Sequence, residues 1–265
     1  MKYCLFDTHA HYDHPLFEGN GPEIARHLFE EGTVDGIVIP AITYESNFNR
    51  DKFPEERFPR VFFAAGLHPK CAVNEAWWSE EKRADFECIL SNHRTVAVKT
   101  GLDFCKKKLT ESQKEHQKRF FRLMIGYANE ARLPLVLHIR DSAEEVIEVL
   151  KEEKLSVKAV AHCYTYDKTV ADKMIEVGIT HFGIGGMITR DDMEPLCKCV
   201  EELPIESILL ETDAPFVKPV GYEGNLNTSG TLEMVVEKIA TIKNLPIQET
   251  VTALQCNAYA FFGVK

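Results

Sequence analysis

A closed barrel of eight parallel strands, each followed by a helix, is the fold the sequence predicts. Three observations carry this: eight short apolar runs recur along the chain, amphipathic stretches fill the intervals, and the 265 residues match the roughly 250 of a (β/α)8 unit. The runs open at Tyr3 (YCLFD), Gly36 (GIVIP), Val61 (VFFAAG), Val96 (VAVKTG), Leu135 (LVLH), Ala159 (AVAH), Ile179 (ITHFGI) and Ile208 (ILLETD). They lack polar alternation, as strands buried on both faces do. Helical spacing follows the fourth run in Phe120, Leu123, Met124 and Tyr127, and the fifth in Val146, Ile147, Val149 and Leu150. Run starts lie 20 to 39 residues apart, the span of βα units. An open doubly wound sheet is the competing arrangement. It would place a glycine-rich phosphate loop after the first strand, where this chain has His9-Ala10-His11. No linker or shift in composition divides the chain, so residues 1–265 are expected to form a single domain.

Composition narrows the function. Hydrophobic residues make up 45% and charged residues 27%, which excludes collagen-like, disordered and disulfide-scaffold classes. A net charge of −10 argues against wrapping nucleic acid non-specifically, though bound metal ions could still supply local positive charge for an anionic substrate. The longest charge-free run, Thr250 to Val264, has 15 residues and is too short to span a bilayer. Asp7 and His9 interrupt any signal peptide at the amino terminus. The eight cysteines include no Cys-x-x-Cys pair and read as reduced thiols. A cytoplasmic protein with no membrane contact and no obligate protein partner is therefore expected.

In such a barrel the chemistry lies where strands end. His9 and His11, two residues apart on extended chain, point to one side and can reach one ion. His138 ends the fifth run, His162 the sixth, and Asp213 follows the eighth. Taken singly, each is equally a satisfied polar residue. Four histidines and an aspartate, all at strand termini, read as a site for a divalent ion with nitrogen and oxygen ligands.

These residues sit in motifs that resemble the TatD-like metal-dependent hydrolases of the amidohydrolase superfamily. The matching segments are His9-Ala10-His11-Tyr12-Asp13, Gly66-Leu67-His68-Pro69, Gly101-Leu102-Asp103-Phe104, His138-Ile139-Arg140-Asp141, His162-Cys163-Tyr164 and Leu210-Glu211-Thr212-Asp213-Ala214-Pro215, with Asn257 before Phe261-Phe262. The resemblance covers the chain in order and implies a TIM-like barrel that hydrolyses phosphodiester bonds, often in DNA. It implies that His9, His11 and Asp213 hold one ion and that His138 and His162 hold a second. Glu211 and His68 would support a ligand from behind or touch substrate, although His68 also reads as a simple loop histidine.

One position departs from the family. The usual pattern is Gly-Glu-x-Gly-Leu-Asp, whereas here Val98-Lys99-Thr100-Gly101-Leu102-Asp103 puts Lys99 where the metal-ligand glutamate stands. An ammonium cannot ligate a cation, which leaves three outcomes open. In the first, Lys99 reacts with carbon dioxide to give an anionic carbamate that bridges two ions, as in phosphotriesterase-like members of the superfamily. In the second it remains an ammonium paired with Asp213 or Glu211, and in the third it points away from the site. The carbamate reading takes Lys99 to lie at the end of the fourth strand.

The resulting expectation is a hydrolase with one or two divalent ions, zinc first and magnesium or manganese as alternatives, acting on a small-molecule or nucleic-acid phosphodiester. Asp213 would be both ligand and proton acceptor. Arg140 would meet an anionic leaving group, or else form a rim ion pair with Asp141. Lys106-Lys107-Lys108 reads either as a guide for a nucleic-acid strand or as a solvated loop, and Trp77-Trp78 as base-stacking or core. The loop after Asp213, carrying Phe216, Tyr222, Asn225 and Asn227, would form part of the substrate rim, with Lys218 its one basic residue. Hydrolysis of a phosphotriester, lactone or amide by the same metal set is the alternative, as is a binding protein whose site Lys99 has silenced.

Overall fold

The computed structural model describes residues 3–74, 79–105 and 109–264. Trp77-Trp78 and Lys106-Lys107-Lys108 lie outside the described residues. Eight parallel strands follow one another in chain order around a single sheet: β1 (Leu5–Asp7), β2 (Val34–Pro40), β3 (Val61–Gly66), β4 (Thr95–Asp103), β5 (Leu135–Arg140), β6 (Ala159–His162), β7 (His181–Ile184) and β8 (Ile208–Leu210). The sheet closes on itself at a seam between first and last strands. Thr8 N–H donates to the Leu210 carbonyl (3.0 Å), Asp213 N–H to that of His9 (2.8 Å), and Ala10 pairs in parallel with Ala214. This is a (β/α)8 barrel, and the open-sheet alternative is excluded.

The helices are α1 (Gly21–Glu30), α2 (Glu80–Leu90), α3 (Glu111–Ala131), α4 (Ala143–Glu152), α5 (Lys168–Glu176), α6 (Glu194–Glu202), α7 (Leu232–Lys243) and α8 (Ile247–Phe262). Local chemistry starts them where expected. Thr110 and Gln113 form a reciprocal capping box on α3, and the Asp167 carboxylate accepts the Val170 N–H (3.0 Å) at the start of α5. The interval between β2 and β3 departs from the repeat, because a 3-10 segment (Glu45–Lys52) replaces a helix. Pro54 and Pro59 prevent its extension. Asn47 fastens it to the barrel, donating to the Gly66 carbonyl (2.8 Å) and accepting the Gly66 N–H (2.9 Å).

Inside the barrel, Phe6, Val38, Ala97, Val136, Val160 and Leu209 pack together, and Phe261 and Phe262 from the end of α8 join that cluster. Strand alternation carries this layer directly to the site. Two residues beyond Ala97, Val136, Val160 and Leu209 on the same inward face come Lys99, His138, His162 and Glu211.

Candidate metal centre

The ligand candidates converge as their strand positions require. His11 Nε2 lies 3.4 Å from Asp213 Oδ1, and His9 Nε2 and His162 Nε2 each lie 3.8 Å from the same oxygen. An ion about 2.1 Å from each donor in tetrahedral geometry spaces those donors about 3.4 Å apart. Burial first, then neighbouring positive charge, holds His9 and His162 well below the ordinary imidazole value, which favours the neutral form that ligation requires. Both ring nitrogens of His9 are buried without a hydrogen-bond partner. Such orphaned nitrogens in a cage of nitrogen and carboxylate donors fit a divalent ion.

Three of the four histidines are oriented from behind. His11 Nδ1 faces the Pro40 carbonyl (3.1 Å) and His162 Nδ1 faces Glu211 Oε1 (3.0 Å), which leaves each Nε2 for the site. His138 is oriented the other way, with Nε2 on Asp103 Oδ2 (3.0 Å) and Nδ1 as its free nitrogen. These partners fix the tautomer and raise ligand basicity. Glu211 thus supports His162 rather than lining the cavity, and its Oε1 also accepts the Cys163 N–H (2.7 Å). Gly183 makes room for it, since a Cβ there would stand 2.1 Å from Glu211 Oε2. Burial and the Asp213 charge push the Glu211 carboxyl up to about 8, against the opposing pull of the Cys163 N–H and Lys99. Burial also works to raise Asp213, but the bond from His11 and the positive charge of its neighbours outweigh it and hold Asp213 below the usual carboxylate value.

Lys99 requires a correction. It is the fifth residue of β4, not its last, because that strand runs on through Gly101, opposite His138, to Asp103. It still belongs to the site: the side chain is 1% exposed and lines the cavity, which rules out an outward-pointing lysine. Its Nζ has no hydrogen-bond partner, so neither Asp213 nor Glu211 binds it directly. Burial lowers the amine to about 8, against the attraction of those two carboxylates.

The cavity above these residues has a volume of about 500 Å3, and His68, Lys70 and Arg140 also line it. His68 packs on His138 with ring centroids 4.2 Å apart, whereas His138 and His162 stand 6.1 Å apart. Arg140 makes no ion pair with Asp141 among the described residues and is left to face the cavity. Asn227 is not a rim residue. It is buried, and its Nδ2 donates to the Thr212 carbonyl (3.0 Å).

Sequence reasoning missed Asp103 as a functional residue. Its carboxylate holds His138 and lies 3.3 Å from Lys70 Nζ. Burial opposes its ionisation, but those two partners hold it well below the usual range. The alternation Lys99, Gly101, Asp103 would have found it. Asp7 was missed too. It is buried beneath the seam and accepts hydrogen bonds from Thr212 Oγ1 and Ser229 Oγ (both 2.6 Å). Nothing in the sequence pattern marks Lys70 or His14, which also line the cavity.

Comparison with known proteins identifies the family. The profile of the family described as "TatD related DNase" matches residues 6–263. A Bacillus subtilis (strain 168) protein described as the uncharacterized metal-dependent hydrolase YabD is 30% identical over 263 residues, covering 98% of this chain and 100% of that one. Among solved structures, YjjV, a TatD homolog from Escherichia coli K12, matches with a TM-score of 0.86 at 28% identity over 100% of both chains. A TatD family hydrolase from Entamoeba histolytica shares the fold, with a TM-score of 0.81 at 17% identity over 99% of each chain. With these matches spanning the barrel and its donor cage, the chain belongs to the TatD-related family of metal-dependent hydrolases.

Proposed function

We propose that this hydrolase cleaves phosphodiester bonds in a small-molecule or nucleic-acid substrate. The observation that carries the reading is the cavity lining, where Lys70 and Arg140 stand beside the histidine–aspartate cage in a chain whose net charge is −10. Cations concentrated in one concave site of an acidic protein favour an anionic substrate over a neutral lactone or amide.

His9, His11 and Asp213 would hold a divalent ion, zinc first and magnesium or manganese as alternatives, and that ion would supply Lewis acidity and a water of near-neutral pKa. Asp213 would accept the proton of the attacking water at Oδ2, since Oδ1 is the oxygen that faces the imidazoles. Arg140 and Lys70 bind the non-bridging oxygens and offset charge gathering on the phosphoryl group. His68, pushed down to about 2 by burial and the adjacent His138, stays neutral and packs against His138 rather than exchanging protons near pH 7.

Lys99 takes the place of the missing glutamate as a carbamate. Its amine nitrogen attacks the carbon of carbon dioxide, a C–N bond forms as one C=O π pair moves onto oxygen, and the nitrogen releases a proton to solvent. An amine lowered to about 8 and lacking a hydrogen-bond partner supports this step. The product anion would serve a second ion together with His138 and His162. The eight free cysteines support a reducing, cytoplasmic setting.

The test is hydrolysis of bis(p-nitrophenyl) phosphate alongside metal content per chain, with and without bicarbonate. Turnover that requires the ion, falls at least ~100-fold in Asp213→Asn, and rises with bicarbonate as metal content approaches two is expected. Turnover of p-nitrophenyl acetate or a lactone in preference to the phosphodiester would reject the substrate class. Metal content indifferent to bicarbonate would reject the carbamate.

A further inference from the structure

The rim of the cavity is divided by polarity, and the division follows strand order. The segment after β3 and the end of β5 contribute the cations Lys70 and Arg140. The segments after β8, β1 and β2 contribute Phe216, His14 and Ile42. Because the strands run in sequence around the barrel and β8 closes on β1, these three rings and side chains occupy one arc and the two cations another.

Phe216 is held ready for contact. It is 38% exposed at the mouth of the site. Its ring meets His14 edge-on, with centroids 5.1 Å apart and planes at 77°. His14 is itself fixed, because the Leu16 N–H donates to its Nδ1 at 3.1 Å. The residue after Phe216, Val217, has φ 51°, a left-handed conformation that a β-branched side chain strongly disfavours. Asn227 Nδ2 donates to the Val217 carbonyl at 3.2 Å and so helps to hold that backbone in place. Strained backbone beside a site marks a segment whose position the surrounding structure enforces.

Building on the phosphodiesterase reading, we propose that Phe216, with His14 and Ile42, forms a stacking subsite for a planar aromatic group attached to the substrate phosphate. Lys70 and Arg140 receive the anionic oxygens on the opposite side. The asymmetry orients the substrate and selects esters that carry an aromatic ring or base next to the reacting phosphorus over those that carry an alkyl group. Lys70 acts from a fixed position, since Asp103 holds its ammonium at 3.3 Å.

The test is calorimetric binding of phenylphosphonate and methylphosphonate, which share an anionic head and differ in the ring. The parent chain should bind phenylphosphonate about five- to tenfold more tightly, the usual worth of an aromatic contact. Phe216→Ala should abolish that preference, Phe216→Tyr should retain it, and Lys70→Ala should weaken both ligands by a similar factor. Equal affinity in the parent chain, or a preference that survives Phe216→Ala, overturns the subsite. Because binding is read without turnover, the two readings fail separately. Ring preference without hydrolysis of any ester supports the subsite and rejects the phosphodiesterase. Hydrolysis of bis(p-nitrophenyl) phosphate with equal phosphonate affinities does the reverse.

Discussion

Replacing Lys99 with methionine is expected to stabilise the metal-free protein. Methionine keeps the length and most of the volume of the lysine stem while removing an ammonium that is buried with no hydrogen-bond partner. Burial lowers the amine from 10.5 to about 8, with the attraction of Asp213 and Glu211 already included. At about 1.4 kcal/mol per tenfold change in proton affinity, that gap amounts to about 3 kcal/mol. The sign follows from linkage. A lysine whose folded value lies below its unfolded value imposes its full cost below pH 8, and the cost fades as pH rises from there to 10.5. Urea denaturation in chelator-containing, carbon dioxide-free buffer should therefore find Lys99→Met about 3 kcal/mol more stable than the parent at pH 7. By pH 9.5 the difference should have shrunk to about 1 kcal/mol. A variant no more stable than the parent at pH 7, or an advantage that stays constant across that range, would refute the reasoning.

Asp103→Asn removes the carboxylate that orients His138, and metal affinity should fall about 10- to 100-fold in competitive titration against a chelating dye. An unchanged affinity would show that His138 needs no such anchor. Gly101→Ala places a Cβ 2.0 Å from the His138 carbonyl oxygen at a φ of 136°. It should cost at least about 2 kcal/mol in denaturation midpoint analysis, because both clashing groups are backbone and neither can rotate aside.

The barrel was legible because its strands are buried on both faces and so read as uninterrupted apolar runs. Their starts fell within two residues of those observed, including the ragged entry to β7, where Ile179 and Thr180 precede the strand. The second interval misled because helix following strand is a rule of repetition, whereas Glu45–Lys52 obeys its own prolines and the Asn47 clasp. His9, His11, His162 and Asp213 were legible because strand ends converge by topology alone. The supports were legible only in part: the family resemblance put Glu211 behind a ligand without saying which one, and it gave Asp103 no role. Asp103 on His138 and Glu211 on His162 join residues 35 and 49 apart, and no local pattern reports which carboxylate will stand behind which ring. Lys99 was placed at a strand end because Gly101 read as a terminus. In the folded chain that glycine continues the ladder, and the lysine reaches the site from one layer below.

The seam has a consequence for how the protein is made. The candidate ion site straddles the joint between the first and last strands, with His9 and His11 on one side and Asp213 on the other. The hydrogen bond from Thr8 to Leu210 spans 202 residues of sequence. A ribosome must therefore synthesise most of the chain before the ion can find its full set of donors, and contacts so distant in sequence form late. Metal capture then stabilises only chains that have joined their ends. Uptake of the ion would thus mark completion of the barrel, so that a chain truncated before β8 lacks both the lock and the catalyst.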